Sequence, residues 1–318
     1  MLAIENECNV LPTASSIKQD INSTESMDNT LQNEIYADDY SDPDIYSDSS
    51  ESEEEEVDEQ AIMYNKIRMQ LYNEEKSVFN SIDKKLSIQT EINLAERDNA
   101  ALWMMNINQK WGFPIEILLT AVTYLDILLS RKIIQKEKLL LMAAVCFRTA
   151  AKVEVKKYPN ANLFNQASGT TFSFEEMNLA EFTLIEALDF KLSYPNVKTF
   201  MRMIMSAAKV NDVAHFLIDL IIEKVSMMNH FMNYYPSIIA ASIVAVTLAG
   251  TGNFDEARKV IVGQIFPDEK MLKECLHDVK EIGAMFVSAL SHFDRASDPI
   301  VKYLENVKFD FPVSRLVY

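Results

Sequence analysis

The chain of 318 residues is predicted to be all-α: two consecutive bundles of about five helices each, preceded by an N-terminal helix and an acidic tail. Three observations predict this. Glycine occurs only 6 times, where average usage is about 7%. So few glycines fit neither an all-β chain rich in tight turns nor a glycine-rich phosphate loop. From residue 61 onward, apolar residues recur at helical spacing. Finally, Ile115–Leu129 and Ile238–Ala249 are apolar on nearly every face, and such a helix in a soluble protein must be ringed by others.

Taken in order, residues 1–60 carry 18 of the 47 acids and, in Lys18, 1 of the 30 bases. The net charge of -17 therefore belongs to this tail, and the remainder is neutral, with 29 acids and 29 bases. The tail is poor in Leu, Ile and Val and has no Phe. It cannot bury enough apolar surface to offset its ordering entropy, and it is expected to be disordered. Residues 61–94 form the next segment, in which Ile62, Ile67, Leu71 and Tyr72 predict an amphipathic helix over about 60–75, followed by a polar connector.

The first bundle, 95–193, takes helices over about 95–111, 114–130, 135–153 and 173–189, with a short one near 160–167. Pro114 suits a first helical position. Ser173 with Glu176 three residues on makes a capping box, and Tyr194-Pro195 breaks the pattern. The second bundle and C-terminal segment, 194–318, take helices over about 196–208, 211–230, 235–249, 254–264 and 268–294. Pro236 opens the apolar helix there as Pro114 does in the first bundle, a repeat of pattern rather than of identity.

Several function classes are disfavoured. A neutral body lacks the basic excess of a nucleic-acid binder. The longest apolar stretch is too short to span a bilayer, so no membrane partner is expected. Three cysteines without a CxxC suit free thiols in a reducing compartment, and the chain is expected to be soluble and intracellular, nuclear and/or cytoplasmic. His215, His230, His277 and His292 have no metal-ligand spacing, and no GxSxG elbow occurs. No metal, cofactor or catalytic constellation is therefore expected.

Three charged residues occupy unexpected places. Asp126 lies late in the apolar helix between Leu125 and Ile127. It either pairs with Arg97, at the start of the preceding helix, or faces solvent on an exposed stripe. Glu181 has Met177, Asn178, Leu184 and Ile185 at i±3 and i±4, so it has no cation on its own helix. It marks either a poor core position or a binding surface in need of donors. Lys152 ends its helix, where a cation complements the macrodipole.

The ordered set of these residues resembles a cyclin box. Its elements are Arg97…Trp103, then Leu119-Thr-Ala-Val-Thr-Tyr-Leu-Asp126-Ile-Leu-Leu-Ser130, then Ala150-Ala-Lys152-Val-Glu154, then Glu181…Leu188-Asp-Phe190-Lys-Leu192-Ser-Tyr-Pro195. In the second half, Tyr235-Pro-Ser-Ile-Ile-Ala-Ala241, Leu276-His-Asp278, Val301–Lys308 and Pro312-Val-Ser-Arg-Leu316 are similar to A- and B-type mitotic cyclins. The resemblance covers about 61–318 and implies two cyclin-box bundles. It also implies a regulatory subunit that forms a heterodimer with a cyclin-dependent protein kinase and activates it, with the chemistry left to the kinase.

Carried over residue by residue, the resemblance implies that Lys152 and Glu181 hydrogen-bond the kinase backbone. Ile185, Phe190, Val153 and Leu192 would press on the kinase C-helix. Tyr64, Ile67 and Leu71 would supply contacts from the N-terminal helix, and Arg97 with Asp126 would form a structural ion pair. Trp103, Leu139 and Leu140 are the candidates for docking substrate peptides, although Glu96, Asn99 and Ala100 stand where that patch carries larger apolar side chains. Residues 1–60 contain no RxxL degradation motif, since the first arginine is Arg68. The alternatives are a cyclin-fold transcription factor and a scaffold without kinase activation.

Overall fold

The computed structural model describes residues 52–156, 158, 160–263, 268–290 and 306–317. The expected disorder of residues 1–51 lies outside them. The chain divides into two compact units, Met1–Asn65 and Lys66–Tyr318. No strand occurs among the described residues, and none of their helices is long and apolar enough to cross a membrane.

Helix α1, Ser52–Ser81, is longer than the 60–75 read from periodicity. Residues 52–60, assigned to the tail, are helical. The C-terminal extension of α1 is anchored by packing: Leu71, Tyr72 and Phe79 lie against the core of the second bundle, and Val78 against that of the first. The Phe79 ring sits 4.0 Å from that of Tyr235.

The first bundle comprises α2 (Leu94–Trp111), α3 (Ile115–Arg131), α4 (Leu139–Glu154), α5 (Ala161–Ser168) and α6 (Phe174–Ala187). Twelve of the 17 residues of α3 are buried, and α2, α4 and α6 pack around it. The helix expected over 135–153 begins later, after a 3-10 turn at Lys136–Lys138. Asn93 and Glu96 form a capping box at the start of α2, and Ser173 and Glu176 form the expected one at the start of α6.

The second bundle comprises α7 (Val197–Ala207), α8 (Asp212–Met227), α9 (Pro236–Gly250), α10 (Phe254–Val262) and α11 (Glu269–Leu290), with a short α12 at Ser314–Val317. The segment expected as one helix over 211–230 ends at Met227 and continues as a 3-10 turn, Asn229–Asn233. Fourteen of the 15 residues of α9 are buried, inside a ring of α7, α8, α10 and α11. The C-terminal segment closes this bundle with Val307, Phe309, Phe311 and Leu316, all buried in its core.

The bundles are joined where α2 packs on α8. Arg97, fully buried, donates from Nε to Asp126 Oδ1 at 2.8 Å and from Nη2 to Asp126 Oδ2 at 2.7 Å. Nη1 donates to the Met227 carbonyl at the end of α8, at 2.9 Å, and to Asp98 at 3.1 Å. Burial works against the guanidinium's charge, but Asp126 and then Asp98 more than offset it and hold its pKa above the usual value. The pair expected within the first bundle therefore also ties that bundle to the second, because a guanidinium has donors left over after a bidentate carboxylate contact.

Candidate functional site

The C-terminal turns of α4 lie beside α6, which brings Lys152 to Glu181 across 29 positions of sequence. Lys152 Nζ donates to Glu181 Oε1. Thr149 Oγ1 donates to the same oxygen at 3.2 Å, and Arg148 Nη1 stands 3.7 Å from Oε2. Glu181, which the sequence marks as either a poor core position or a binding surface in need of donors, thus has partners within the chain. Its own helix offers no cation, but α4 supplies two donors and, in Arg148, a second cation nearby, a juxtaposition that i±3 and i±4 spacing cannot reveal. Both members of the pair retain partial solvent access, so the contact sits at the surface, and the Tyr158 ring lies 6.0 Å from the lysine nitrogen.

Apolar residues follow the pair along both helices. Val153 is exposed and Ile185 half-buried, beside Glu181 on α6. Phe190 is 73% exposed just beyond the end of that helix, and its placement has a backbone cause. Phe190 N–H donates to the Ile185 carbonyl and Asp189 N–H to the Glu186 carbonyl, each at 3.1 Å, which makes a Schellman ending. That ending asks for left-handed backbone, and Asp189 (φ 50°) and Phe190 (φ 60°) adopt it without being glycine. Arg131 holds the turn by donating to the Ala187 carbonyl at 2.8 Å and to Asp189 at 2.6 Å. Leu192, half-buried, packs against the first core, and its carbonyl accepts from the Tyr124 hydroxyl.

A family model of the cyclin N-terminal domain matches residues 66–193, and one of the cyclin C-terminal domain matches 195–295. The chain belongs to the cyclin family. Among its relatives, this cyclin is 27% identical over 164 residues to Cyclin-A2-1 of Arabidopsis thaliana, covering 50% of this chain and 37% of that one. It is 26% identical over 178 residues to G2/mitotic-specific cyclin-2 of Saccharomyces cerevisiae, covering 55% and 36%. The cyclin thus spans little more than a third of the length of either relative. A viral cyclin from herpesvirus saimiri shares the fold, with a TM-score of 0.55 at 18% identity, covering 67% of this chain and 96% of that one.

The remaining expected site residues of this cyclin are dispersed. Tyr64 and Ile67 are exposed on α1, and Leu71 is half-buried. Of the three docking candidates, only Leu140 offers an exposed side chain. Leu139 is corrected to a core residue, 8% exposed and packed in the core of the first bundle. Trp103 packs edge-on against Phe164, with ring centroids 6.2 Å apart. Among the described residues no group of His, Cys, Asp and Glu could hold a metal ion.

Sequence reasoning missed Leu179 and Phe182. They are 70% and 63% exposed on α6, and three residues apart they share one face of the helix, a face turned away from that of Glu181. A signal was present: both fall outside the buried row Met177, Ala180, Leu184 and Ala187, which is the stripe a helix of this kind turns to its core. Arg148 was also missed, since it lies within a run of apolar residues and reads locally as core.

Proposed function

We propose that this cyclin forms a heterodimer with a cyclin-dependent protein kinase and activates it allosterically, in the control of cell division at G2/M. The observation that carries the reading is the partly exposed Lys152–Glu181 pair on α4 and α6, with Val153 exposed next to the lysine, Ile185 half-buried one turn past the glutamate and Phe190 exposed beyond the end of α6. A partly exposed polar pair with apolar residues near it in sequence suits a partner that satisfies its hydrogen bonds while covering apolar surface. The names of relatives, A-type and G2/mitotic-specific cyclins, support the cell-cycle assignment.

The mechanism is differential binding. A helical bundle with a packed core presents its face rigidly, and a rigid face favours whichever kinase conformation it fits. If it fits only the state in which the kinase C-helix is rotated inward, binding shifts the kinase population to that state. The kinase's own Lys–Glu ion pair can then orient the ATP phosphates. The cyclin contributes surface, and the kinase contributes the catalytic groups. Such an interface is expected to bury more than about 2,000 Å². Substrate peptides would have Leu140, with the exposed part of Trp103, as their docking surface.

The test mixes the full chain with a monomeric cyclin-dependent kinase and follows histone phosphorylation. Stimulation is expected with the wild type, and the Lys152→Ala/Glu181→Ala variant should lose at least about thirtyfold in affinity. Equal stimulation by the two proteins would move the docking surface elsewhere. No complex at all would leave a cyclin fold put to another use.

A further inference from the structure

Among the described residues, Glu181 is held from α4, by Lys152 and Thr149 at Oε1 and by Arg148 near Oε2. The lysine has a role in the docking surface proposed above, but the arginine has none. Arg148 precedes Lys152 by four residues on the same helix, so both cations face the same way, and like charges at that spacing repel unless an anion lies between them. Glu181 is that anion. The Arg148 side chain is only 10% exposed, and its buried Nε has no hydrogen-bond acceptor among the described residues.

A guanidinium so buried, with one distant carboxylate oxygen as its partner, is a poor choice for packing alone. An apolar side chain of similar volume would fill the same space without the desolvation penalty. The position therefore calls for a charge role, and the division of Glu181's oxygens supplies one. In the docking reading, Lys152 turns from Glu181 toward an acceptor on the partner. With Lys152 as sole counter-ion, that exchange would leave the carboxylate with only neutral donors, Thr149 and the partner's backbone, just as the interface excludes water, and a charge without a counter-charge there is penalised. Arg148 stands at the other oxygen and remains when the lysine leaves.

We infer that Arg148 is a positioning residue of the docking surface: it retains Glu181 through Oε2, so that Lys152, which engages only Oε1, is free to exchange onto an acceptor of the partner. The inference rests on the kinase-docking reading.

The test is a double-mutant cycle on the full chain with a monomeric cyclin-dependent kinase. Affinity and dissociation rate are measured for the wild type, Arg148→Leu, Arg148→Lys, Glu181→Gln and Arg148→Leu/Glu181→Gln. Arg148→Leu should weaken binding on the order of tenfold, chiefly through faster dissociation, and Arg148→Lys should recover most of that. In the Glu181→Gln background the leucine change should alter affinity less than about twofold, because the carboxylate it served is gone. Arg148→Leu should melt no lower than the wild type; if it folds poorly, Arg148→Gln completes the same cycle. Equal losses in both backgrounds would reduce Arg148 to local packing, and unchanged affinity of Arg148→Leu would remove its role. Either result, with the wild type binding, overturns this inference alone. A wild type that binds no kinase overturns the docking reading and this inference together.

Discussion

Glu75 is 2% exposed on α1, where it meets the start of α9. Ser237 donates to it twice, from its backbone N–H at 2.9 Å and from its hydroxyl. A carboxylate suits a helix N-terminus, yet burial outweighs the two Ser237 bonds and pushes the pKa from 4.5 to about 7. Between those values the folded protein keeps the proton that the unfolded chain has released, so stability falls as pH rises through this window and levels off above about 7. The wild type should lose roughly 1–3 kcal/mol across it relative to Glu75→Gln. Denaturant midpoints of both proteins over the window would check this, and parallel profiles would count against it. At this scale much of the site was hidden in the sequence. Glu75 and Glu181 each meet partners on another helix, whereas residue spacing reports only neighbours along the same one. Arg97 and Asp126 were legible because a buried carboxylate in an apolar helix demands a cation, and few were within reach.

The helices themselves were mostly legible. Prolines 114 and 236, the Ser173–Glu176 box and the saturation of α3 and α9 with apolar side chains are local features, and the helices follow them closely. The exceptions share a cause. α1 outruns its periodic stretch because tertiary packing holds its C-terminal end, and α4 starts late because a 3-10 turn precedes it. The C-terminal segment depends on packing throughout. Phe309 lies so close to Gly250 and Gly283 that a Cβ on either would approach its ring to 2.6 Å and 2.8 Å. Gly283→Ala should therefore destabilise by about 1 kcal/mol, since overpacking costs about 1–3 kcal/mol and the gain in helix propensity returns up to about 1 kcal/mol. Adding Phe309→Leu should recover part of the loss in urea melts. A Gly283→Ala chain more stable than the wild type would mean that the ring yields freely.

For residues 66–318, the contact of α2 with α8 and the Arg97 bonds to Asp126 and Met227 join the two bundles through buried groups. Truncating one partner of such a pair costs about 3–5 kcal/mol, while replacing both by apolar groups is often neutral. Asp126→Ala should accordingly destabilise far more than Arg97→Met/Asp126→Leu. Calorimetry of the wild type should show both bundles unfolding in one transition. In Arg97→Met, with the Met227 bond gone and Asp126 unpaired, the transition should broaden or divide. Two resolved transitions in the wild type would show that the bundles are independent.

The sequence by itself determined the fold class, the two central helices, the order of the surrounding ones and the cyclin resemblance. Helical periodicity, apolar saturation and capping are properties of short windows, and a chain with two fully apolar helices has few ways to bury both. Only the tertiary structure decided which charges meet. Lys152 and Glu181 are 29 residues apart, and Glu75 and Ser237 are 162. Whether such groups touch depends on how helices cross and which rotamers their neighbours leave open, and no window of sequence carries that information.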